Sequence, residues 1–484
     1  MEKFKRLLIA GVAVSALAAC SADDEQQSET TEDGKTILKV AYKDDGPSND
    51  QAVKYYETLS EKLAEDKDLD VQFELVEVAQ GDYAEKLSLL LNSGEIPDLI
   101  YFQGGDQQIA NQDLLEDLRP YIEESENLKD ILQPHNELRL NNYPYLLWVK
   151  PIDYKVPVVR GDIMNSLPSS EALLADPTID NYKAFFEDLV QEGNAEYAVT
   201  VAGDISELDY IFENAFGINQ SWLETDDGYV FSKVSEKEKE KLAFYKELYE
   251  EGLLDNQYLT KQWDTKEDAF YDGKAGLIVG TNGKVIDFYN SRVKEVNGEE
   301  AELVVLPPAK GEYQGFGASD ITKESRGLAI SATSPNKDLV FEVLDYLASP
   351  EGQELDRLGF EGEHHEVAND QIELTDAYYS DWYSRYWEPV NAEFSMPISE
   401  ETPMLSEPAN ESMQLANEYF AEDNAFILPQ EFVSQWDAME NLYREYSADI
   451  ITGKLPIEAF DDFVDEWYAA GGTELTELAN EKIE

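Results

Sequence analysis

From its first ordered stretch the chain alternates short apolar runs with longer segments of helical spacing. Ile37 to Tyr42 (ILKVAY) has the apolar content of a buried strand, and Gly46 and Pro47 break it in the loop that follows. Between Ala52 and Leu63 the residues Val53, Tyr56, Leu59 and Leu63 fall three or four apart, which predicts a helix. Val71 to Val78 alternates and predicts a second strand. Tyr83 to Asn92 predicts a helix closed by Ser93-Gly94, and Pro97 to Phe102 a third strand running into Gln103-Gly104-Gly105-Asp106. Strand–helix–strand–helix–strand is the pattern of an α/β chain with a parallel sheet, whose ligand crevice lies beyond the carboxyl ends of the strands. The loops 44–50 and 103–106 occupy those ends. Asp45 and Asn49 in the first, and Asp106 in the second, are therefore candidate ligand contacts.

Later segments repeat the theme. Strands are predicted at Tyr154 to Val159, Ala275 to Gly280, Leu303 to Leu306 and Leu328 to Ser331, and helices at Thr178 to Leu189, Glu236 to Glu250 and Asp338 to Leu347. Pro307-Pro308 makes a stiff turn suited to a crossing between lobes, and Ser334-Pro335-Asn336 caps the helix after it. Beyond residue 347 the pattern is mainly helical. There is no repeat of fixed period and no second long apolar stretch.

The first twenty residues read differently. Lys3, Lys5 and Arg6 precede the apolar run Leu7 to Ala16, which is too short to span a bilayer, and Leu17-Ala18-Ala19-Cys20 resembles a bacterial lipobox. Cys20 is the one cysteine in 484 residues, at the position where a diacylglyceryl group would be attached. Residues 1–19 are thus expected to be a lipoprotein signal peptide, and 20–35 (acidic and free of large apolar side chains) a flexible tether. The body is expected to be anchored by at least two acyl chains on the extracytoplasmic face of the cell membrane.

Charge narrows the partners. Against 37 Lys+Arg stand 102 Asp+Glu, a formal net charge of -65, and phosphate repels so negative a chain, so nucleic acid is excluded. With 42% hydrophobic residues the acidity is not that of a disordered tail, and its even spread reads as surface solvation. One cysteine excludes an intrachain disulfide and a multi-cysteine zinc site.

Four stretches, in order, resemble the extracellular solute-binding proteins, family 1, of ABC importers. These are Leu91 to Tyr101 (LNSGEIPDLIY), Phe270 to Gly280 (FYDGKAGLIVG), Leu328 to Leu347 (LAISATSPNKDLVFEVLDYL) and Thr452-Gly453-Lys454 to Gly471-Gly472. The resemblance implies a type II, two-lobed α/β fold, each lobe a mostly parallel sheet flanked by helices with the ligand cleft between them. Lobe one would be residues 36–148 with 304–334, and lobe two 149–303 with 335–484. It also implies an oligosaccharide ligand, an ABC permease as partner, and no cofactor. In this likeness Phe102 and Trp436 stand at stacking positions, Asp106 among hydroxyl acceptors, and Asn282 just past the strand that leads to a third stacking position, where Lys284 replaces a tryptophan. Arg160 is a candidate for bidentate bonds to sugar hydroxyls or a uronate. Trp387 belongs to the aromatic cluster Tyr378 to Trp387.

Other chemistry is thinly supported. Asp66, Asp68, Asp70 and Glu77 mimic a calcium loop, but Val71 stands where its turn needs glycine, and no metal is expected. His364-His365 is expected on a surface loop. An anchored hydrolase acting through two carboxylates, or a peptide or amino-acid binder on the same scaffold, are the competing readings. With no GxSxG and 3 histidines, most acyl-transfer chemistry is removed.

Overall fold

The computed structural model describes residues 28–78, 83–94, 96–132, 134–149, 154–317, 326–386 and 394–483, apart from 421, 425, 427 and 429–431. Its strands in chain order are β1 (Thr36–Ala41), β2 (Val71–Leu75), β3 (Leu99–Gln103), β4 (Lys155–Arg160), β5 (Tyr197–Val199) and β6 (Trp222–Thr225). They continue with β7 (Gly228–Phe231), β8 (Ala275–Thr281), β9 (Leu303–Val305), β10 (Arg326–Ile330), β11 (His365–Ala368) and β12 (Gln371–Leu374).

Two four-stranded sheets organise the molecule. The first has the order β10-β3-β1-β2, with β1 parallel to both neighbours and β10 antiparallel to β3. The second has the order β5-β8-β4-β9, and only β5 and β8 run parallel, because β4 is antiparallel to both its neighbours. The expectation of two mostly parallel sheets therefore holds for the first, while the second is mixed.

The predicted elements form for local reasons. The helix Asp50–Lys67 buries Tyr55, Tyr56, Leu59 and Leu63 on one face against Leu38 and Val40 of β1. Asn49 caps it, its side chain accepting from the Gln51 and Ala52 amides at 3.1 Å, and Asp68 ends it in the left-handed region with φ 58°. Residues 28–35 are less free than a tether. They fold back along β1 through Ile37 N–H to the Glu29 carbonyl at 2.9 Å and a Lys39–Glu29 ion pair at 2.9 Å. Residues 1–27, with the signal segment and Cys20, lie outside the described residues. No helix among those described is long and apolar enough to cross a membrane.

Packing divides the chain differently from the expected boundaries. The core on β1 and β3 contains Leu38 to Val149, but also Val340, Leu344, Leu347, Tyr378, Trp382 and Tyr386, with Met404 against it. Residues 335–404, expected with the second lobe, thus pack on the first sheet. Conversely Val305, Leu306, Ala309 and Phe316, expected with the first lobe, are buried in the second-sheet cores. A helix's apolar stripe announces that it needs a partner, not which sheet provides it. By packing, the chain passes between the sheets within 149–154, within 317–326, and at Met404–Leu405.

His364 corrects another expectation. It is fully buried rather than on a surface loop, 4.7 Å from the Trp382 ring, and its Nδ1 accepts from the Phe360 amide at 3.0 Å.

A charged cluster lies inside the second lobe. The fully buried Lys241 Nζ is 2.7 Å from Asp209, 3.0 Å from Glu238 and 4.0 Å from Glu213. Tyr443 donates to Glu238 at 2.6 Å and Tyr245 to Asp209 at 2.9 Å. Burial pushes the Glu213 carboxyl up to about 8; Lys241 opposes this, and the neighbouring Asp209 and Glu238 add to it. The folded state thus holds a proton that the unfolded state releases between the ordinary 4.5 and about 8, and stability falls as pH rises through that window. Glu213→Gln, which cannot ionise, is expected to flatten that decline and raise Tm above pH 8 by about 2–4 °C. Parallel melting-against-pH curves for the two proteins would contradict this.

Candidate functional site

The site is framed by the edges at which the two sheets face each other. On the first lobe this edge holds the carboxyl ends of β1 and β3 and, because β10 is antiparallel, the amino end of β10 at Arg326, paired in register with Gln103. On the second lobe it holds the amino end of β4, where Lys155 pairs with Thr281 at the carboxyl end of β8. Both edges adjoin the passages within 149–154 and 317–326, so they border one gap.

A ladder of rings lines the first edge. Tyr42, just past β1, stacks on Tyr101 with centroids 4.5 Å apart and 20° between planes. Tyr101 stacks in turn on Trp148 at 5.7 Å and 29°, and the Arg326 guanidinium lies 5.3 Å over Trp148. Tyr83 donates to the Tyr101 carbonyl at 2.7 Å, Gln103 donates to the Tyr101 hydroxyl at 3.2 Å, and the Tyr42 hydroxyl donates to the Arg385 carbonyl. Burial raises Tyr42 well above the ordinary tyrosine range, so its proton stays on as a donor. Tyr101 is itself buried in the core, and the half-buried Tyr42 and Trp148 at the ends of the ladder are the rings with exposed apolar edges and polar rims, the combination that suits a ring bearing C–H faces and hydroxyls.

The second edge is ionic. Glu207 accepts from Lys155 at 3.2 Å and from Lys266 at 2.7 Å, beside the exposed ring of Trp263. Beside this edge the lobes touch. Lys284, at the start of the helix Lys284–Asn297, donates to the Tyr378 carbonyl at 2.7 Å and lies 3.8 Å over the Tyr378 ring, while Phe288 stacks on Tyr383 at 6.1 Å.

The residues singled out from sequence mostly have other work. Asp45 is buried and paired with Arg385 Nε at 2.8 Å, and Asn49 is a helix cap. Phe102 is 1% exposed and packs with Leu87 and Leu91 instead of stacking in the gap. Strand alternation explains this: Phe102 and Ile100 share one face of β3, and Tyr101 takes the other, where the ladder is. Asp106 is buried beside Tyr143. Asn282 is buried, accepting from the Tyr154 amide at 2.9 Å and donating to Met413 Sδ at 3.0 Å, so it pins β8 to β4. Arg160 ends β4 at the edge remote from Asn282, held by Asp162 and Asn297. Trp436 packs edge-to-face on Phe231 at 5.1 Å in the second-lobe core. Trp387 lies outside the described residues.

Tyr42, Tyr101, Trp148, Lys155 and Trp263 were missed in the sequence. Trp148 and Lys155 flank the first passage, and that position was the available signal for them. The described residues contain no group of three or more His, Cys, Asp or Glu placed to hold a metal ion.

Known proteins agree with this architecture. The crystal structure of the alginate-binding protein AlgQ2 without calcium superposes with a TM-score of 0.65, at 15% identity over 92% of this chain and 97% of that one. The N-glycan transport solute-binding protein NgtS of Streptococcus pneumoniae gives 0.64, at 17% identity over 91% and 96%. Among curated relatives, Lipoprotein LipO of Bacillus subtilis is 21% identical over 83% of this chain and 84% of its own length. The polygalacturonan/rhamnogalacturonan-binding protein YtcQ of the same organism is 20% identical over 98% and 97%. A family model described as bacterial extracellular solute-binding protein matches residues 51–355. Sharing that model over more than half its length, and the type II two-lobed fold with it, the chain belongs to the bacterial extracellular solute-binding proteins.

Proposed function

We propose that this protein captures an oligosaccharide in the gap between its lobes and hands it, chemically unaltered, to the permease of an ABC importer. The observation that carries this reading is the ring ladder Tyr42–Tyr101–Trp148 at the edge of the first sheet. With Tyr101 buried as its anchor, the ladder fixes the half-buried Tyr42 and Trp148 at the gap, where rigid rings can supply the apolar contact a sugar needs at low entropic cost. The names of YtcQ, AlgQ2 and NgtS, which bind or transport carbohydrates, support it from outside. Capture without catalysis needs only that closing the lobes on the ligand outweighs the cost of bringing them together, a hinge motion of the kind solute-binding proteins use. The lipobox ending in Cys20, and a lipoprotein among the relatives, support anchorage on the extracytoplasmic face.

Calorimetry against a panel of oligosaccharides and peptides tests the reading. A carbohydrate is expected to bind with a Kd near micromolar, about -8 kcal/mol, and to be recovered uncut after hours. Trp148→Ala, which removes the end of the ladder, is expected to weaken that binding by at least about tenfold. Peptide binding alone, or cleavage of a polymer, would contradict it. Cys20→Ala is expected to move the protein from the membrane fraction to the medium, and unchanged membrane association would contradict lipid anchorage.

A further inference from the structure

Trp263 stands apart from the other tryptophans that are described. It is 39% exposed at the start of the helix Trp263–Tyr271, whereas Trp222, Trp382 and Trp467 are at most 1% exposed in the cores. Its surroundings are costly for a surface ring. The Lys266 ammonium, fully buried, sits 3.6 Å over the ring centroid and is fixed by Glu207 at 2.7 Å and the Val279 carbonyl at 2.9 Å. Desolvating an ammonium is expensive unless it is paired, and here the pairing lies beneath an indole. Burial lowers the Lys266 pKa, and Glu207 restrains that fall. The Glu267 carboxyl lies against the indole and the Tyr289 hydroxyl, both of which oppose the upward push of its burial. Lys266 over the ring and Glu267 against it hold the indole in place, while the residue stays 39% exposed.

Lys155 also lies over the ring, its Nζ 5.0 Å from the centroid and 3.2 Å from Glu207, and Glu207 also accepts from the Ala202 amide at 3.2 Å. Lys155 opens β4 just after the first passage, seven residues past Trp148, so the platform and the ring ladder stand on the two lobes at either end of that passage. The local charge balances, with Lys155 and Lys266 against Glu207 and Glu267. A carboxylate on the ligand would find no net positive charge here, and the rest of the chain, at -65, would repel it.

Resting on the oligosaccharide reading above, we propose that Trp263 is the second-lobe platform for an uncharged sugar ring, with Lys155 donating to its hydroxyls and the buried Glu207 holding Lys155 and Lys266 in place. This selects neutral oligosaccharides over uronates, although a relative of similar length is named for polygalacturonan and rhamnogalacturonan.

The test is calorimetry on the full-length chain in detergent, with neutral gluco-, galacto-, xylo-, arabino- and fructo-oligosaccharides and with oligogalacturonate and oligoalginate. Neutral members are expected to bind at least about tenfold more tightly than any uronate. Trp263→Ala is expected to weaken binding by at least about thirtyfold, Trp263→Phe by about threefold because a flat ring remains, and Lys155→Met by about tenfold. Melting curves check that Trp263→Ala folds, as its exposure predicts. Binding by Trp263→Ala within about twofold of the parent, or uronates bound as tightly as neutral sugars, would overturn this inference while leaving carbohydrate capture standing. If no carbohydrate binds, both readings fall together.

Discussion

Everything functional here depends on one topological constraint: both sheets face the gap with the same edge through which the chain enters and leaves them. In the first sheet the parallel strands β1 and β3 end there, and β10 begins there because it runs antiparallel to β3. In the second, β8 ends there and β4 begins there for the same reason. Side chains at strand ends and at the passages, from Tyr42 to Trp148 and from Lys155 to Trp263, are thereby gathered on two opposed surfaces. Relative motion of the lobes changes the distance between those surfaces without disturbing either core.

The contact that remains between the lobes complements this. Lys284 reaches from the second lobe onto the ring and carbonyl of Tyr378, and Asp287, fully buried, lies 3.4 Å from Lys284 and accepts from the Ser406 amide at 3.0 Å. Separating the lobes at this point would strip the Lys284 ammonium of the Tyr378 carbonyl and ring, while its pairing with Asp287, on the same helix, would persist. Movement is cheaper elsewhere, about this contact as a pivot. The position where the sequence likeness places a stacking tryptophan is thus occupied by a residue that braces the lobes.

Much of the fold was legible in the sequence, and the reason is periodicity. The helices 83–92 and 236–250 begin and end where the apolar spacing and the Gly signals place them. What periodicity cannot express is the identity of the packing partner, so residues 335–404 were expected on the wrong sheet. The site was less legible. A one-residue difference puts Phe102 on the far face of β3 and Tyr101 on the face that carries the ladder, and likeness to a family does not resolve a pleat. Asn282 and Asp45 carry the polar groups a ligand could use, but Tyr154 and Arg385, 128 and 340 residues away in sequence, have claimed them. Trp263 left no periodic signal because its importance lies in what is stacked beneath it.

The central claim is that ligand draws the two ring-bearing edges together. Spin labels at Gln107→Cys and Gln262→Cys, both exposed and one on each edge, in a chain with Cys20 replaced by serine, measure that separation directly by pulsed dipolar spectroscopy. A bound oligosaccharide is expected to shorten and narrow the distance distribution. A distribution that stays the same while calorimetry records saturating binding would contradict the account.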